Sequence, residues 1–134
     1  MMGTAENKQL VRAFYAAGNR GDFDACFELI ADDIRWTNIG TTPLSGTYRG
    51  KPELMEKLLG PLFGRLKSGI QTTIENLLAE GDLVVALTSG VAETIDGRPY
   101  NNRYCQVMRI KEGRIVEVTE YFDTQLTNAI FGND

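Results

Sequence analysis

Histidine is missing altogether from these 134 residues. Its absence removes Ser-His-Asp and Cys-His catalysis and the commonest metal sites, all of which need an imidazole. Cysteine is scarce, with only Cys26 and Cys105. Both fall in segments that read as a helix and a strand, where the thiol serves as a small buried hydrophobe in a reducing cytosol. No apolar run is long enough to span a bilayer, so no membrane partner is expected. The first ten residues, MMGTAENKQL, carry neither an apolar stretch nor a basic flank. No secretory signal is expected, and a cytoplasmic location follows. Positive charge is in deficit: the net charge is −4, whereas a nucleic-acid-binding face needs to be basic. No acidic cluster has Mg²⁺ or Ca²⁺ ligand spacing, and Gly81, Gly97 and Gly113 read as turn glycines, not a phosphate loop. No cofactor and no metal are expected.

What is present is an ordinary apolar content of 43% in a length that suits one domain, 1–134. Thr4 is placed to cap a first helix with Leu10, Val11, Phe14 and Tyr15 on one face. Gly18-Asn19-Arg20-Gly21 stops it. Asp22 caps a second helix bearing Phe23, Cys26, Phe27 and Ile30, which Ala31-Asp32-Asp33 ends. Ile34–Ile39 reads as a strand with Ile34, Trp36 and Asn38 on one face. Residues 40–50 are loop-like, with a short strand near Thr47-Tyr48-Arg49. Pro52 opens a third helix whose stripe is Leu54, Leu58, Leu59, Leu62 and Phe63; Pro61 predicts a kink near Gly60. Extended segments then run over 71–80, 83–95 and 100–111, with Asp96-Gly97 as a hairpin turn. The end, 125–134, reads as a polar tail anchored by Ala129, Ile130 and Phe131. Helices come first and strands joined by short turns follow. That order predicts an α+β fold, a curved, mostly antiparallel sheet wrapped around three helices as a cone with an open end.

The last hairpin carries the chemical oddity. Beyond the Lys111-Glu112-Gly113 turn, alternation sends Val116, Val118, Glu120 and Phe122 to one face and Ile115, Glu117, Thr119 and Tyr121 to the other. Glu120 is the one acid in an apolar row. Facing a cavity, its charged form would be desolvated and its pKa raised, which suits proton transfer to and from a carbon acid or a water. The alternative is pairing with Arg103 or Arg109, or an exposed sheet end. Trp36 and Asn38 either stack on and hydrogen-bond a cyclic ligand, or fill the core and satisfy a loop. Tyr100, Asn102, Tyr104, Gln106 and Met108 share a face that either lines the cavity or is solvated or dimer-facing. Tyr15 is most simply cavity wall or core.

Four motifs, in order, carry a resemblance: Arg20-Gly21-Asp22-Phe23, Ala31-Asp32-Asp33, Tyr48-Arg49-Gly50, and Gly113-Arg114-Ile115 followed by Glu120-Tyr121-Phe122-Asp123. With the element order they make the chain resemble the nuclear transport factor 2-like superfamily over nearly its whole length. Relatives in that group include SnoaL-like polyketide cyclases, ketosteroid isomerase and limonene-1,2-epoxide hydrolase. The resemblance implies a small cofactor-independent enzyme acting on a hydrophobic, cyclic or polyketide-like molecule by isomerisation, cyclisation or water addition. It implies a homodimer through the outer sheet face. The isomerase's base position holds Asn38, and its oxyanion tyrosine matches Phe14, with Tyr15 one step on. The epoxide hydrolase's Asn, Tyr and Asp positions hold Asn38, Trp36 and Glu120, and its Arg-x-Asp positions hold Thr88-Ser89-Gly90. The implied site is therefore Glu120 with Asn38 as catalytic pair, and Trp36, Tyr104, Gln106, Phe122, Tyr15 and Asn102 around the substrate. The second reading is a non-catalytic small-molecule binding protein using the same cavity.

Overall fold

The computed structural model describes residues 3–132. Helix α1 (Thr4–Asn19) buries Leu10, Val11, Phe14 and Tyr15, the spacing of one helical face. Its N-cap is Gly3, without a side-chain cap, so Thr4 is the first helical residue and not the cap. Asn19 then ties the end of α1 to the sheet. Its Nδ2 donates to the Thr72 carbonyl at 2.8 Å, and the Thr72 N–H donates to its Oδ1 at 2.7 Å. Helix α2 (Phe23–Glu28) is capped by Asp22, whose side chain accepts from the Ala25 N–H. Strand β1 (Ile30–Asn38) begins before Ala31-Asp32-Asp33, so that motif lies in the strand and does not end the helix.

Strands β2 (Gly46–Arg49), β3 (Gln71–Glu80), β4 (Leu83–Val91), β5 (Arg103–Lys111) and β6 (Arg114–Phe122) complete one sheet in the order β2-β1-β6-β5-β4-β3. All neighbours are antiparallel except β1 and β6, which run parallel because the last strand returns beside the first. That return sets Asn38 directly beside Glu120. The β4–β5 hairpin narrows beyond Val91 to a single bridge, Glu93 with Pro99, before Asp96-Gly97 turns it, so both strands are shorter than the sequence predicts.

Between β2 and β3 the chain runs through α3 (Lys51–Glu53), a π-helical stretch (Leu54–Leu59) and α4 (Gly60–Gly64). Proline at 61 has no N–H to give. The turn before it is widened instead of broken, and the Gly60 N–H reaches back five residues to the Met55 carbonyl. Leu54 and Leu58 from this stretch join Val11 and Ile34, and Val84, Met108 and Val118 from the sheet, in the core between helices and sheet. Full burial of each such side chain stabilises by roughly 1.5–3 kcal/mol.

Two sequence expectations change in the C-terminal third. The polar tail is a helix, α5 (Thr124–Phe131), capped by Asp123, whose side chain accepts from the Leu126 N–H. Its anchor is Ile130 and Phe131, while Ala129 is exposed; residues 133 and 134 of the expected tail lie outside the described residues. A bulge near Val116 also breaks the alternation of β6, since Ile110 pairs with Ile115 but Arg109 pairs with Glu117. Ile115 therefore joins Val118 in the core and is fully buried.

Candidate functional site

The inner face of the sheet is built in rungs. One crosses Val84, Met108, Val118, Trp36 and Tyr48 and is apolar but for the indole N–H and the phenol. The next crosses Ala86, Gln106, Glu120 and Asn38, and the third crosses Thr88, Tyr104 and Phe122. Helices α1 and α2 and the π-helical stretch cover this face without filling it. They leave a cavity of about 390 Å³, ordinary for a small-molecule site. Its walls are mostly apolar, and the partly exposed Phe23 and Met55 stand at its mouth. Glu120, Gln106, Tyr104, Tyr15, Trp36, Asn38 and Phe122 all line it.

Among the described residues Glu120 is the only carboxylic acid on that lining. Its side chain fronts the cavity and is half-buried. Burial pushes its pKa up to about 7, against the lowering pull of a hydrogen bond from Gln106. The arginine alternatives are otherwise engaged. Arg103 pairs with Glu75 at 2.8 Å and Arg109 with Asp82 at 2.6 Å, both on the outer face. No ion pair among the described residues includes Glu120.

The neighbours of this acid are neutral donors. Burial raises the pKa of Tyr15 and Tyr104, and the nearby Glu120 charge adds to both shifts, so each phenol keeps its proton at neutral pH. The Tyr15 hydroxyl, Thr88 Oγ1 and Gln106 Oε1 are buried with no hydrogen-bond partner. Such orphans are rare and mark strain, unplaced water or a place for a ligand. Thr88, named from sequence only at the Arg-x-Asp positions, was not in the implied site. The alternation Val84, Ala86, Thr88 on β4 is the signal that places it inward.

Asn38 reaches the cavity wall with both ends of its amide engaged. Its Oδ1 accepts from the Trp36 indole at 2.9 Å, and its Nδ2 donates to the Leu44 carbonyl at 3.0 Å. It holds the tryptophan and the 40–46 loop in place. Asn102 does not line the cavity. Its Oδ1 accepts from the N–H groups of Arg103 and Asp123, and its Nδ2 donates to the Asp123 carbonyl and Thr127 Oγ1, which clamps the start of α5 to β5. Expected beside the substrate, it lies past the end of the cavity, where α5 covers it. Among the described residues no cluster of His, Cys, Asp or Glu could hold a metal ion.

Comparison with known proteins follows this geometry. The family model described as SnoaL-like domain matches residues 11–118. No curated protein matches the chain. Among solved structures, an NTF2-like protein from Burkholderia thailandensis is 28% identical, covering 96% of this chain and 98% of its own, with a TM-score of 0.81. An LEH-like epoxide hydrolase from M. tuberculosis is 24% identical, covering 96% of this chain and 90% of its own, with a TM-score of 0.75. A putative isomerase from Bacillus subtilis is 18% identical, covering 97% of this chain and 95% of its own, with a TM-score of 0.81.

Proposed function

The chain belongs to the family of SnoaL-like domains, and on that premise we propose that it is a small cofactor-independent enzyme that moves a proton on a hydrophobic, cyclic or polyketide-like molecule. Glu120 is the proton-transfer group. As a carboxylate it takes a proton from a carbon beside a carbonyl, or from a water. The electron pair left behind moves onto the carbonyl oxygen or into the new bond, and the carboxyl then returns the proton. The outcome is isomerisation, cyclisation or water addition, and none of these steps needs a cofactor. Tyr15 and Tyr104 supply neutral phenol donors for a developing oxyanion. Trp36 and Phe122 form flat apolar walls, and Asn38 holds Trp36 in position. Structural neighbours described as an epoxide hydrolase and a putative isomerase support this class of chemistry.

One observation carries the reading: a lone carboxyl, with its pKa pushed to about 7, lines a mostly apolar cavity. The test is turnover by a Glu120→Gln variant on a substrate found by screening enolisable ketones and epoxides. Trp36, the only tryptophan, reports binding by its fluorescence. Turnover should fall by about 10²–10⁴-fold with binding retained. Full turnover by the variant overturns the mechanism.

A second reading, a non-catalytic binding protein, is favoured by two departures. Asn38 stands where the isomerase has its base, and Thr88-Ser89-Gly90 stands where the epoxide hydrolase has Arg-x-Asp. Bound ligand recovered chemically unchanged at all pH values supports it. We also propose a homodimer through the outer sheet face, where Leu78, Val85 and Val107 form one row and Leu87, Cys105 and Tyr121 the next. A cytoplasmic location is proposed from the two unpaired cysteines.

A further inference from the structure

Gln106 and Glu120 stand directly opposite each other on β5 and β6. Gln106 is buried, and its Nε2 donates to Oε1 of Glu120. No other hydrogen bond or ion pair reaches that carboxyl among the described residues. We infer that Gln106 is a positioning residue: it pins Oε1 of Glu120 against the sheet and leaves Oε2 as the oxygen that exchanges a proton with a molecule in the cavity. This rests on the acid/base reading of Glu120 and adds which oxygen works and what holds it there.

The two oxygens of a free carboxylate are equivalent, and its terminal torsion is broad. A single donor from the facing strand removes that equivalence. The donor's chemistry matters as much as its place. An arginine at 106 would hold the carboxylate permanently charged and spoil it as a base. An aliphatic residue would leave the carboxyl protonated well past neutrality. A neutral amide supports the charge only in part.

Among the described residues no other group around Glu120 hydrogen-bonds its carboxyl. Tyr15 on α1, Cys26 on α2, and Tyr100 and Tyr104 on the β5 side are acids that burial keeps protonated, with Cys26 pushed to about 11. Trp36 and Asn38 from β1, Thr88 from β4, and Met55 and Leu58 from the π-helical stretch carry no charge. The orphaned Oε1 of Gln106 is an independent sign. A glutamine present only to satisfy its own amide would have both ends bonded. Here only the end that meets the carboxylate is bonded, and the acceptor end is left for a donor on the guest.

The test needs no substrate. In protein labelled with ¹³C at the glutamate carboxyls, the Glu120 signal is identified by its loss in Glu120→Gln and followed through a pH titration. Wild type should titrate near the value of about 7. In Gln106→Met, which keeps the volume, the midpoint should rise by about one unit or more, a tenfold gain in proton affinity. Gln106→Asn, one methylene too short to reach, should show the same rise and stands in if the methionine variant does not fold. A merely structural glutamine would lower the melting temperature and leave the midpoint in place, and that result overturns the inference. A wild-type Glu120 that titrates in the ordinary carboxylate range removes the acid/base reading itself, which separates the two failures.

Discussion

A single carboxyl in the cavity makes stability depend on pH in a direction opposite to most acidic residues. In the unfolded chain Glu120 titrates near 4.5, and in the folded chain near 7. Below the lower value both states hold the proton, and Glu120 carries no penalty. Between the two values the folded protein binds more protons than the unfolded one, so stability falls as pH rises. Above the upper value the loss is complete, on the order of 3 kcal/mol at most. Glu120→Gln should flatten this slope and be the more stable protein above neutrality. Urea denaturation of both proteins at several pH values checks it, and parallel curves would show that the charge is not desolvated. A group kept at such a cost fits a working acid better than a packing one, the usual tension between stability and activity.

Among the elements, the π-helical stretch Leu54–Leu59 has the most direct bearing on the site, because it contributes Met55, Leu58 and Leu59 to the cavity wall. Its wide turn brings the Met55 carbonyl to 2.9 Å from where a Cβ on Gly60 would sit. Only glycine fits there without a shift of backbone. Gly60→Ala should therefore destabilise by roughly 1–3 kcal/mol despite alanine's better helix propensity. Denaturant midpoints should fall with the slope unchanged. A gain in stability would mean the stretch rewinds to an ordinary α-helix. That rewinding turns Leu58 and Leu59 relative to the sheet and alters the cavity, so ligand binding would change with it. Helix α5 has a quieter part: Asn102, Thr127 and Tyr100 lock it across the sheet end beside Phe122.

At the scale of the molecule the sheet has two apolar faces and the helices cover one. On the other, Leu78 is 59% exposed and Tyr121 is 47% exposed, in rows with half-buried Val85, Val107 and Leu87. Charges around them are already paired, Arg35 with Glu117 and Arg103 with Glu75, both at 2.8 Å. An apolar strip with a self-neutralised rim suits contact with a copy of itself. In the proposed dimer, Leu78→Arg would place like charges across the two-fold interface and should raise the dissociation constant tenfold or more, about 1.4 kcal/mol. Sedimentation equilibrium reads this directly. Wild type that is only monomeric at micromolar concentration refutes the dimer. Leu78 is remote from the cavity lining, so ligand binding should survive the change.

The sequence alone determined what depends on near neighbours along the chain. Alternation assigned Ile34, Trp36 and Asn38 to one face of β1 and put Glu120 among apolar neighbours. Turn glycines and Asp22 marked where elements meet, and the order of elements set the fold class. Those signals have periods of two or 3.6 residues and need no partner strand. The amphipathic spacing of α5 was short and polar enough to read as a tail, although Asp123 followed by Leu126 and Ile130 is a helix signal. What joins distant segments was decided only by the tertiary structure. The parallel return of β6 beside β1, the bulge that turns Ile115 inward, the pairing of Arg103 and Arg109 away from Glu120, and the Gln106–Glu120 contact all belong to that class. The physical reason is that strand register and the choice among possible ion-pair partners are settled by packing summed over the whole sheet, and no local stretch of chain contains that sum.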